Sequence, residues 1–413
     1  MGVDTVKVFV LNSGSSSVKY KLYDMPAETV LASGQVERIG MEDALVTHRV
    51  PGREPYQLQQ EILDHTTAIQ QVLRLLTDQE RGTAVLERID EIGAVGHRVV
   101  HGGEAFQESV LVTPEVKATI RELTELAPLH NPHNLSGIEA AEGLLPGVPQ
   151  VAVFDTAFHA RMPQHAYLYA LPRLLYERYA VRRYGFHGSS HRYVAERVRT
   201  LLGGEGTPKI ITCHLGNGAS IAAVLGDHSI DTSMGFTPLE GLMMGTRSGD
   251  VDAGALLYIM AREELSLAEA DAMLNKHSGL LGISGTASDM REIEAGAEQG
   301  DEGAALALEM FTYRIRKYIG AYAAALNGVD AIAFTAGIGE HSPRVREMVC
   351  AGLTYLGVEL DPEANRQAKG EALISTPASR VPVYVIPTDE EVVIARDTVA
   401  VVARERAPVA GQG

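Results

Sequence analysis

Residues 6–23 read VKVFVLNSGSSSVKYKLY, and this stretch decides the fold. An apolar run at 6–11 gives way to small polar residues at 12–17, and an apolar pattern resumes at 18–23. The pattern predicts a strand, a tight turn and a second strand. Closely spaced N–H groups in such a turn can bind an anion, although a plain hairpin has the same pattern. The Gly-Lys-Ser/Thr ending of a Walker A loop is absent from this turn.

The same layout returns at residues 209–225, which read KIITCHLGNGASIAAVL. A supersecondary unit that occurs twice predicts two related domains. A third glycine turn is predicted at 337–339, directly after an apolar strand at 331–335. Three such turns, each at the carboxyl end of a strand, favour a nucleotide bound in a cleft.

The composition is that of an ordinary globular protein with more than one core. The chain has 413 residues, 45% of them hydrophobic and 22% charged, which favours two domains. A net charge of −17 argues against nucleic acids and anionic membranes as partners. Cys213 and Cys350 lie in no metal-ligand or disulfide spacing, so we expect two buried thiols in a reducing compartment.

The location of the protein is predicted by exclusion. The N-terminal residues lack a charged segment followed by an apolar one, so no signal peptide is expected. No uncharged apolar run approaches the roughly 18 residues of a membrane span. We therefore expect a cytoplasmic protein.

Two arginines lie in settings that point to anion binding. Arg98 is flanked by apolar residues in a predicted strand that ends in glycines, and Arg247 lies in an aperiodic segment, 232–250, that contains four glycines. Arginine held rigidly in this way suits bidentate recognition of a carboxylate or phosphate. A buried arginine that only bonds loop carbonyls is the alternative.

One histidine and two carboxylates complete the candidates. His187 stands at a predicted helix start, where its ring could donate to a developing phosphoryl charge, although most lone histidines are structural. Asp155 ends a buried strand, where active-site groups gather in α/β sheets. Glu390 opens the last predicted helix, where a carboxylate also simply complements the helix dipole. Because Mg²⁺ needs only one or two protein carboxylates beside phosphate oxygens, a sparse acidic set fits an ATP site.

These motifs together resemble the acetate kinases, collinearly and over essentially the whole chain. The segments that carry the resemblance are 10–20, 96–103, 129–132, 154–159, 184–191, 214–220, 232–250, 337–340 and 388–391. The resemblance implies an α/β fold with two duplicated actin/Hsp70-like (ribonuclease H-like) domains and an ATP cleft between them. It implies an N-terminal domain at 1–154, completed by a C-terminal helix at about 387–413, and a second nucleotide-binding domain at 155–386.

The resemblance also implies roles for individual residues. Catalysis would fall on Arg98, Asp155, His187 and Arg247, and the acetate pocket would be formed by Arg98, Val100, Leu129, Phe186 and Pro238. ATP would be bound by Lys19, His214, Leu215, Gly216, Asn217, Gly218, Asp289, Met290, Arg291, Gly337, Ile338, Gly339, Glu340 and His341. Asn12 and Glu390 would hold Mg²⁺, with Mn²⁺ as an alternative, and the protein would be a homodimer.

Two positions depart from the family pattern. His341 replaces the asparagine that usually follows Gly-Ile-Gly-Glu, which affects the detail of adenosine contact. Ala253 replaces a proline, and we expect little consequence.

The implied reaction is the reversible, Mg-ATP-dependent phosphorylation of acetate to acetyl phosphate by direct in-line transfer. A carboxylate is already a nucleophile at pH 7, so alignment and charge neutralisation must supply the catalysis. A propionate or butyrate kinase is the alternative, since one or two methylenes change binding by only about 1–3 kcal/mol. Val100 should crowd an ethyl group and so favour acetate. A non-metabolic ATPase of the actin/Hsp70 superfold is a more distant alternative.

Overall fold

The computed structural model describes residues 5–406, which contain fourteen strands and fifteen α-helices. The strands are β1 (Val6–Ser13), β2 (Ser17–Met25), β3 (Thr29–Glu37), β4 (Met41–Arg49), β5 (Tyr56–Ile62), β6 (Ile92–Val99), β7 (Val110–Leu111), β8 (Gln150–Phe154), β9 (Lys209–Leu215), β10 (Ala219–Leu225), β11 (His228–Thr232), β12 (Ala331–Thr335), β13 (Ala372–Leu373) and β14 (Val383–Val385). The helices are α1 (His65–Thr77), α2 (Pro114–Glu122), α3 (Asn131–Leu144), α4 (Gln164–Tyr167), α5 (Arg173–Tyr179), α6 (Gly188–Leu201), α7 (Ala253–Arg262), α8 (Leu267–Lys276), α9 (Gly279–Ser284), α10 (Met290–Glu298), α11 (Glu302–Ala325), α12 (Ala336–His341), α13 (Pro343–Cys350), α14 (Pro362–Gln367) and α15 (Glu390–Arg406).

The described residues divide into two compact units, 5–157 with 389–406 and 158–388. The first unit contains one eight-stranded sheet in the order β5-β4-β3-β2-β1-β6-β8-β7. Strands β1, β6 and β8 are parallel neighbours, and the remaining pairs are antiparallel. The carboxyl ends of three adjacent strands therefore meet at one edge of this sheet.

The second unit repeats this arrangement. Its six-stranded sheet has the order β11-β10-β9-β12-β14-β13, with β9, β12 and β14 parallel and the other pairs antiparallel. Strand order and direction match β3-β2-β1-β6-β8-β7 of the first unit, which adds β4 and β5 at its edge. The duplicated α/β fold expected from the two strand–turn–strand segments is thus confirmed.

Helices pack on both faces of the first sheet. Helix α1 buries Ile69, Val72 and Leu76 in the core that includes β2 to β4, where burial of each side chain contributes about 1.5–3 kcal/mol. Helix α15 packs closely on β6, because a Cβ at Gly96 would overlap the Thr398 side chain. Glycine at this position lets the last helix approach the strand that carries Arg98.

In the second unit, α6 packs on β9 and β12 through a small apolar face. Val194 and Val198 of this helix join Ile210 and Ala333 in one buried cluster. Cys213 and Cys350 are free and buried, as expected. Among residues 5–406, no helix is long and apolar enough to cross a membrane.

Three turns differ from their predicted form. The turn expected at 12–17 is shorter, because β1 continues through Ser13, and that at 214–220 is shorter because β9 continues through Leu215. The prediction of a glycine turn at 337–339 is wrong, because these residues lie inside α12.

Candidate functional site

The carboxyl ends of β1, β6 and β8 bring three predicted residues together in the first unit. Leu11 pairs with His97 and Val99 pairs with Phe154 in the parallel registers, so Asn12, Arg98 and Asp155 follow or end adjacent strands. Arg98 Nη1 donates to Asn12 Oδ1 over 3.3 Å. Active sites of α/β proteins form at such strand ends.

Arg98 and Asp155 form a bidentate ion pair. Arg98 Nε donates to Asp155 Oδ1 over 3.1 Å, and Nη2 donates to Oδ2 over 2.5 Å. The Asp155 side chain is 2% exposed, whereas 24% of the Arg98 side chain remains exposed. Burial lowers the pKa of Arg98, but the charges of Asp155 and Glu390 outweigh it and raise the pKa above its ordinary value. The guanidinium is therefore fixed in place, charged, and still partly open.

Glu390 lies close enough to this pair to interact with it electrostatically. Burial raises the pKa of Glu390 to about 7, the charge of Arg98 opposes this rise, and Asp155 and Glu391 add to it. Lys19, directly opposite Asn12 in the β1–β2 hairpin, also lowers the pKa of Glu390. We call Asn12, Lys19, Arg98, Asp155 and Glu390 the first cluster.

Two buried amides of α3 hold the backbone around this cluster. Asn134 donates to the Ser13 carbonyl over 2.7 Å and accepts from the Val100 N–H over 3.0 Å. Asn131 bonds both the N–H and the carbonyl of His101. These side chains fix the ends of β1 and β6 relative to each other.

Two predicted pocket residues of this unit differ in their environment. Val100 is buried at 5% exposure, whereas Leu129 is 69% exposed just before α3. The side chain of Leu129 thus lies at the surface of the unit.

In the second unit, the parallel pairing of β9 and β12 brings two glycine segments together. His214 pairs with Thr335, and Ala336, at the start of α12, lies next to Gly216 in the β9–β10 turn. Ala336 has φ of 63°, a left-handed conformation that turns the chain abruptly from strand into helix. The predicted segments 214–218 and 337–341 therefore share one edge of the sheet.

His187 directs its ring at the same turn. The residue precedes α6 with φ of 55°, and its Nδ1 lies 2.9 Å from Ser220 Oγ. The ring stacks on that of His214 with centroids 4.1 Å apart. A Cβ on Gly218 would lie 3.7 Å from His187 Nε2 and 3.0 Å from Arg247 Nη2. His187, Arg247 and the β9–β10 turn thus face a common space, and with 337–341 they form what we call the second cluster.

Arg247 is held by the loop that precedes it. Its Nη1 donates to the Pro238 carbonyl over 2.7 Å, and burial lowers its pKa. Even so, a guanidinium remains charged in proteins. A Cβ on Gly279 would overlap the Met244 carbonyl, so the loop packs directly against the start of α9.

A buried polar network supports this loop from the other side. Arg183 donates to the carbonyls of Thr232, Ser233 and Met234 and to the Glu240 carboxylate. Tyr318 donates to Asp250 over 2.7 Å, and Asp250 in turn accepts from the Gly241 N–H. Both ends of segment 232–250 are therefore anchored.

The other predicted nucleotide residues have mixed environments. Asp289 caps α10 and pairs with Arg291, whose side chain is 89% exposed, while Met290 is buried. The preceding residue, Ser288, lies close to Gly245 and Asn217. His341 Nδ1 lies 3.0 Å from the Gly337 carbonyl within α12. Phe186, which is predicted for the acetate pocket and not for the nucleotide site, is buried just before His187.

Sequence reasoning missed the residues that hold these groups. Arg346 is 1% exposed and donates to the carbonyls of Gly339 and Glu340 and to Asn365, so it fixes the end of α12. Nothing in the local pattern of an amphipathic helix distinguishes such an arginine from a solvent-exposed one. Among residues 5–406, no group of three His, Cys, Asp or Glu side chains is placed to bind a metal ion.

Comparisons with known proteins find similar sequences and structures over nearly the whole chain. Residues 7–396 match the sequence profile of the acetokinase family. The acetate kinase of Symbiobacterium thermophilum is 59% identical over 394 residues, covering 95% of this chain and 98% of the relative. The crystal structure of Porphyromonas gingivalis acetate kinase has a TM-score of 0.92 and 50% identity, covering 96% of this chain and 100% of that one. That of a propionate kinase from Francisella tularensis has a TM-score of 0.88 and 39% identity, covering 96% and 99%.

Proposed function

We propose that this chain, which belongs to the acetokinase family, transfers the γ-phosphoryl group of ATP directly to acetate. The products are ADP and acetyl phosphate, and the reaction is reversible. The observation that carries the proposal is the first cluster, in which a charged arginine is clamped by a buried aspartate and left partly open. Such a group binds a carboxylate or phosphate bidentately without having to be ordered first.

In this proposal Arg98 binds and orients the anionic acceptor. Bringing two anions together is the main electrostatic obstacle, and the positive charge of Arg98 offsets it. Asp155 keeps the guanidinium plane in one orientation through its two hydrogen bonds. Because acetate is already ionised at pH 7, no residue needs to remove a proton from it. Alignment of the two reactants then supplies much of the rate enhancement.

Mg²⁺ would be held by Asn12 and Glu390. Both supply the oxygen ligands that this ion prefers, and Mg²⁺ commonly takes only one or two protein ligands. Glu390 fits the role, because burial and the nearby charges of Asp155 and Glu391 raise its pKa, and a cation bound at its oxygens would favour the ionised form. When bound, the ion neutralises charge on the phosphate oxygens.

The second cluster would bind the nucleotide and the transferring phosphoryl group. The segments 214–218 and 337–341, which share one edge of the sheet, are the proposed contacts to phosphate and adenosine, with Lys19 and 289–291 as further candidates. His187 and Arg247 would donate to the equatorial oxygens as charge develops on them. Fixed donors of this kind act without reorganisation during the reaction.

Acetate is the proposed substrate rather than propionate or butyrate. Val100 is buried and its N–H is fixed by Asn134, so its side chain cannot retreat easily from a larger acyl group. Leu129, Phe186 and Pro238 are the other residues proposed to contact the acyl group. Propionate is the second candidate substrate, because the propionate kinase from Francisella tularensis has a similar structure.

We place this activity in the cytoplasm and expect a homodimer. One surface supports association: α7 has no buried residue, and Leu257 and Tyr258 on it are 67% and 61% exposed. Exposed apolar side chains clustered on one helix are typical of protein interfaces.

Acetate-dependent ADP formation tests the proposal. Purified protein with ATP, Mg²⁺ and acetate should produce ADP and an acyl phosphate that hydroxylamine traps as acetohydroxamate. ADP formation that does not depend on acetate or any other short carboxylate would instead support the ATPase alternative.

A further inference from the structure

Ser220 lies directly behind His187 and contacts a second histidine. Its Oγ is 2.9 Å from His187 Nδ1 and 2.7 Å from His191 Nε2. On its other side, His191 Nδ1 lies 2.7 Å from Thr212 Oγ1. The hydrogen bonds therefore run in one line from Thr212 through His191 and Ser220 to His187.

Each member behind His187 is sealed from solvent. Thr212, His191 and Ser220 are all 0% exposed. Burial lowers the pKa of His191 well below its ordinary value, so this ring is neutral and carries one proton. A buried chain of this kind has a definite proton arrangement, because every donor must face an acceptor.

Counting protons leaves two arrangements. The hydroxyl of Ser220 has one proton and two lone pairs, so it donates to at most one of the two histidines. If Ser220 does not donate to His187, then His187 carries its proton on Nδ1 and presents a bare Nε2. If Ser220 donates to His187 Nδ1, then the His187 proton is on Nε2, His191 donates to Ser220, and Thr212 donates to His191 Nδ1.

A phosphoryl group bound beside Nε2 would require the second arrangement. This nitrogen lies on the edge of the His187 ring that faces Gly218, where the Arg247 guanidinium also points. A bare Nε2 there would repel the oxygens of a phosphoryl group, whereas an N–H would donate to them.

We propose that Thr212, His191 and Ser220 form a hydrogen-bond relay that fixes His187 as the neutral tautomer with its proton on Nε2. Ser220 and His191 are positioning residues, since they act on the substrate only through His187. The choice of tautomer and the use of its proton in phosphoryl transfer both rest on the proposed function, but the tautomer can be measured whether or not the protein is active. Partners behind a functional histidine commonly fix its tautomer in this way.

The tautomer can be measured in the free protein. Long-range ¹H–¹⁵N correlation spectra of ¹⁵N-histidine-labelled protein at about pH 8, where an ordinary histidine with pKa about 6.5 is neutral, report which ring nitrogen is protonated. The His187 signals are assigned by their loss in His187→Ala. We expect a protonated Nε2 and a bare Nδ1 in the wild type. A proton on Nδ1 would overturn the proposal whether or not the protein phosphorylates acetate.

Kinetics test whether the relay matters for the reaction. Ser220→Ala should lower kcat about 10-fold with little change in the KM for ATP or acetate, as for loss of an orienting partner. In a His187→Ala background the same change should lower kcat no further. Ser229→Ala is the matched control, because Ser229 is 1% exposed and its hydroxyl also contacts a buried histidine, His159, over 2.7 Å. That variant should keep its kcat.

Two kinetic results would contradict the relay. One is an unchanged kcat in Ser220→Ala, and the other is an equal loss in the wild-type and His187→Ala backgrounds, which would mean that Ser220 acts by another route. Unfolding temperatures measured for Ser220→Ala and Ser229→Ala check whether both variants remain folded. If no acetate-dependent activity exists at all, the proposed function fails, and the spectra alone decide the relay.

Discussion

The Arg98 side chain combines a fixed orientation with a charge that is open to solvent. The bidentate pair with Asp155 gives the first, and 24% side-chain exposure gives the second. A lysine at this position could place a charge but could not reproduce the planar two-point contact. The chemistry assigned to the first cluster depends on this geometry.

Replacing Arg98 should therefore affect transfer much more than nucleotide binding. We expect Arg98→Ala and Arg98→Lys to lose most of their kcat with acetate while nucleotide affinity, measured by calorimetry, survives. Arg98→Ala should also unfold more easily, because an unpaired buried Asp155 costs about 3–5 kcal/mol. Arg247→Ala should likewise lose kcat, but without that particular loss of stability. An Arg98 variant that keeps kcat and loses ATP affinity would contradict the assignment.

His187 should act only in the transition state. Removing one donor to a developing anion costs about 10²–10³ in kcat, so His187→Ala should fall by this factor with a smaller change in the acetate KM. His187→Gln, which keeps an N–H donor, should recover part of the rate. A phosphorylated His187 formed from ATP without acetate, together with ping-pong kinetics, would show covalent transfer instead.

At the scale of elements, the parallel strand ends decide which residues meet. The hairpins β1–β2 and β9–β10 follow from local alternation of apolar and small polar residues, and so could be predicted. The Arg98–Asp155 pair joins residues 57 positions apart and depends on β6 and β8 being neighbours, which no local pattern encodes. Arg98 and Asp155 could be identified as candidates because each lies at the end of a predicted apolar strand, but their pairing could not.

Helix α12 forms where the local sequence predicts a glycine turn. Gly-Ile-Gly after a strand is typical of a turn, and glycine destabilises a helix interior by about 1 kcal/mol. Here Arg346, buried against α12 and Asn365, donates to the carbonyls of Gly339 and Glu340 and stabilises the short helix. A tertiary contact thus overrides the local preference.

Strand β6 carries a buried histidine that should make stability depend on pH. Burial lowers the pKa of His97 to about 4, and its Nε2 lies 2.7 Å from Gln150 Oε1. Between the unfolded value near 6.5 and about 4, the unfolded chain binds more protons, so stability should fall as the pH drops through this window. The loss at about pH 5.5 is on the order of 1 kcal/mol for one such histidine.

Urea unfolding at about pH 7.5 and 5.5 measures this effect. His97→Gln removes the titrating group, so it should lose less stability on acidification than the wild type does. His277→Gln, at an exposed histidine, is the control and should keep the wild-type pH dependence. Equal pH dependence in His97→Gln and the wild type would contradict the assignment.

At the scale of the whole molecule, association is predicted to use α7. Light scattering should give twice the 44.4 kDa chain mass for the wild type. Leu257→Glu should shift the protein toward the monomer by placing a charge on the exposed apolar face. Leu373→Glu, at a 49% exposed leucine of β13, should stay dimeric. A wild-type mass of one chain would refute the dimer, and a dimeric Leu257→Glu would place the interface elsewhere.

The central claim is that this member of the acetokinase family phosphorylates acetate in preference to larger acids. The most direct test is kcat/KM for ADP formation with acetate, propionate and butyrate, measured side by side at fixed Mg-ATP. We predict that acetate gives the highest value, because buried Val100 leaves room for a methyl group and crowds an ethyl group. A propionate value equal to or above that of acetate would contradict the account of the pocket, and no turnover with any of the three acids would contradict the function itself.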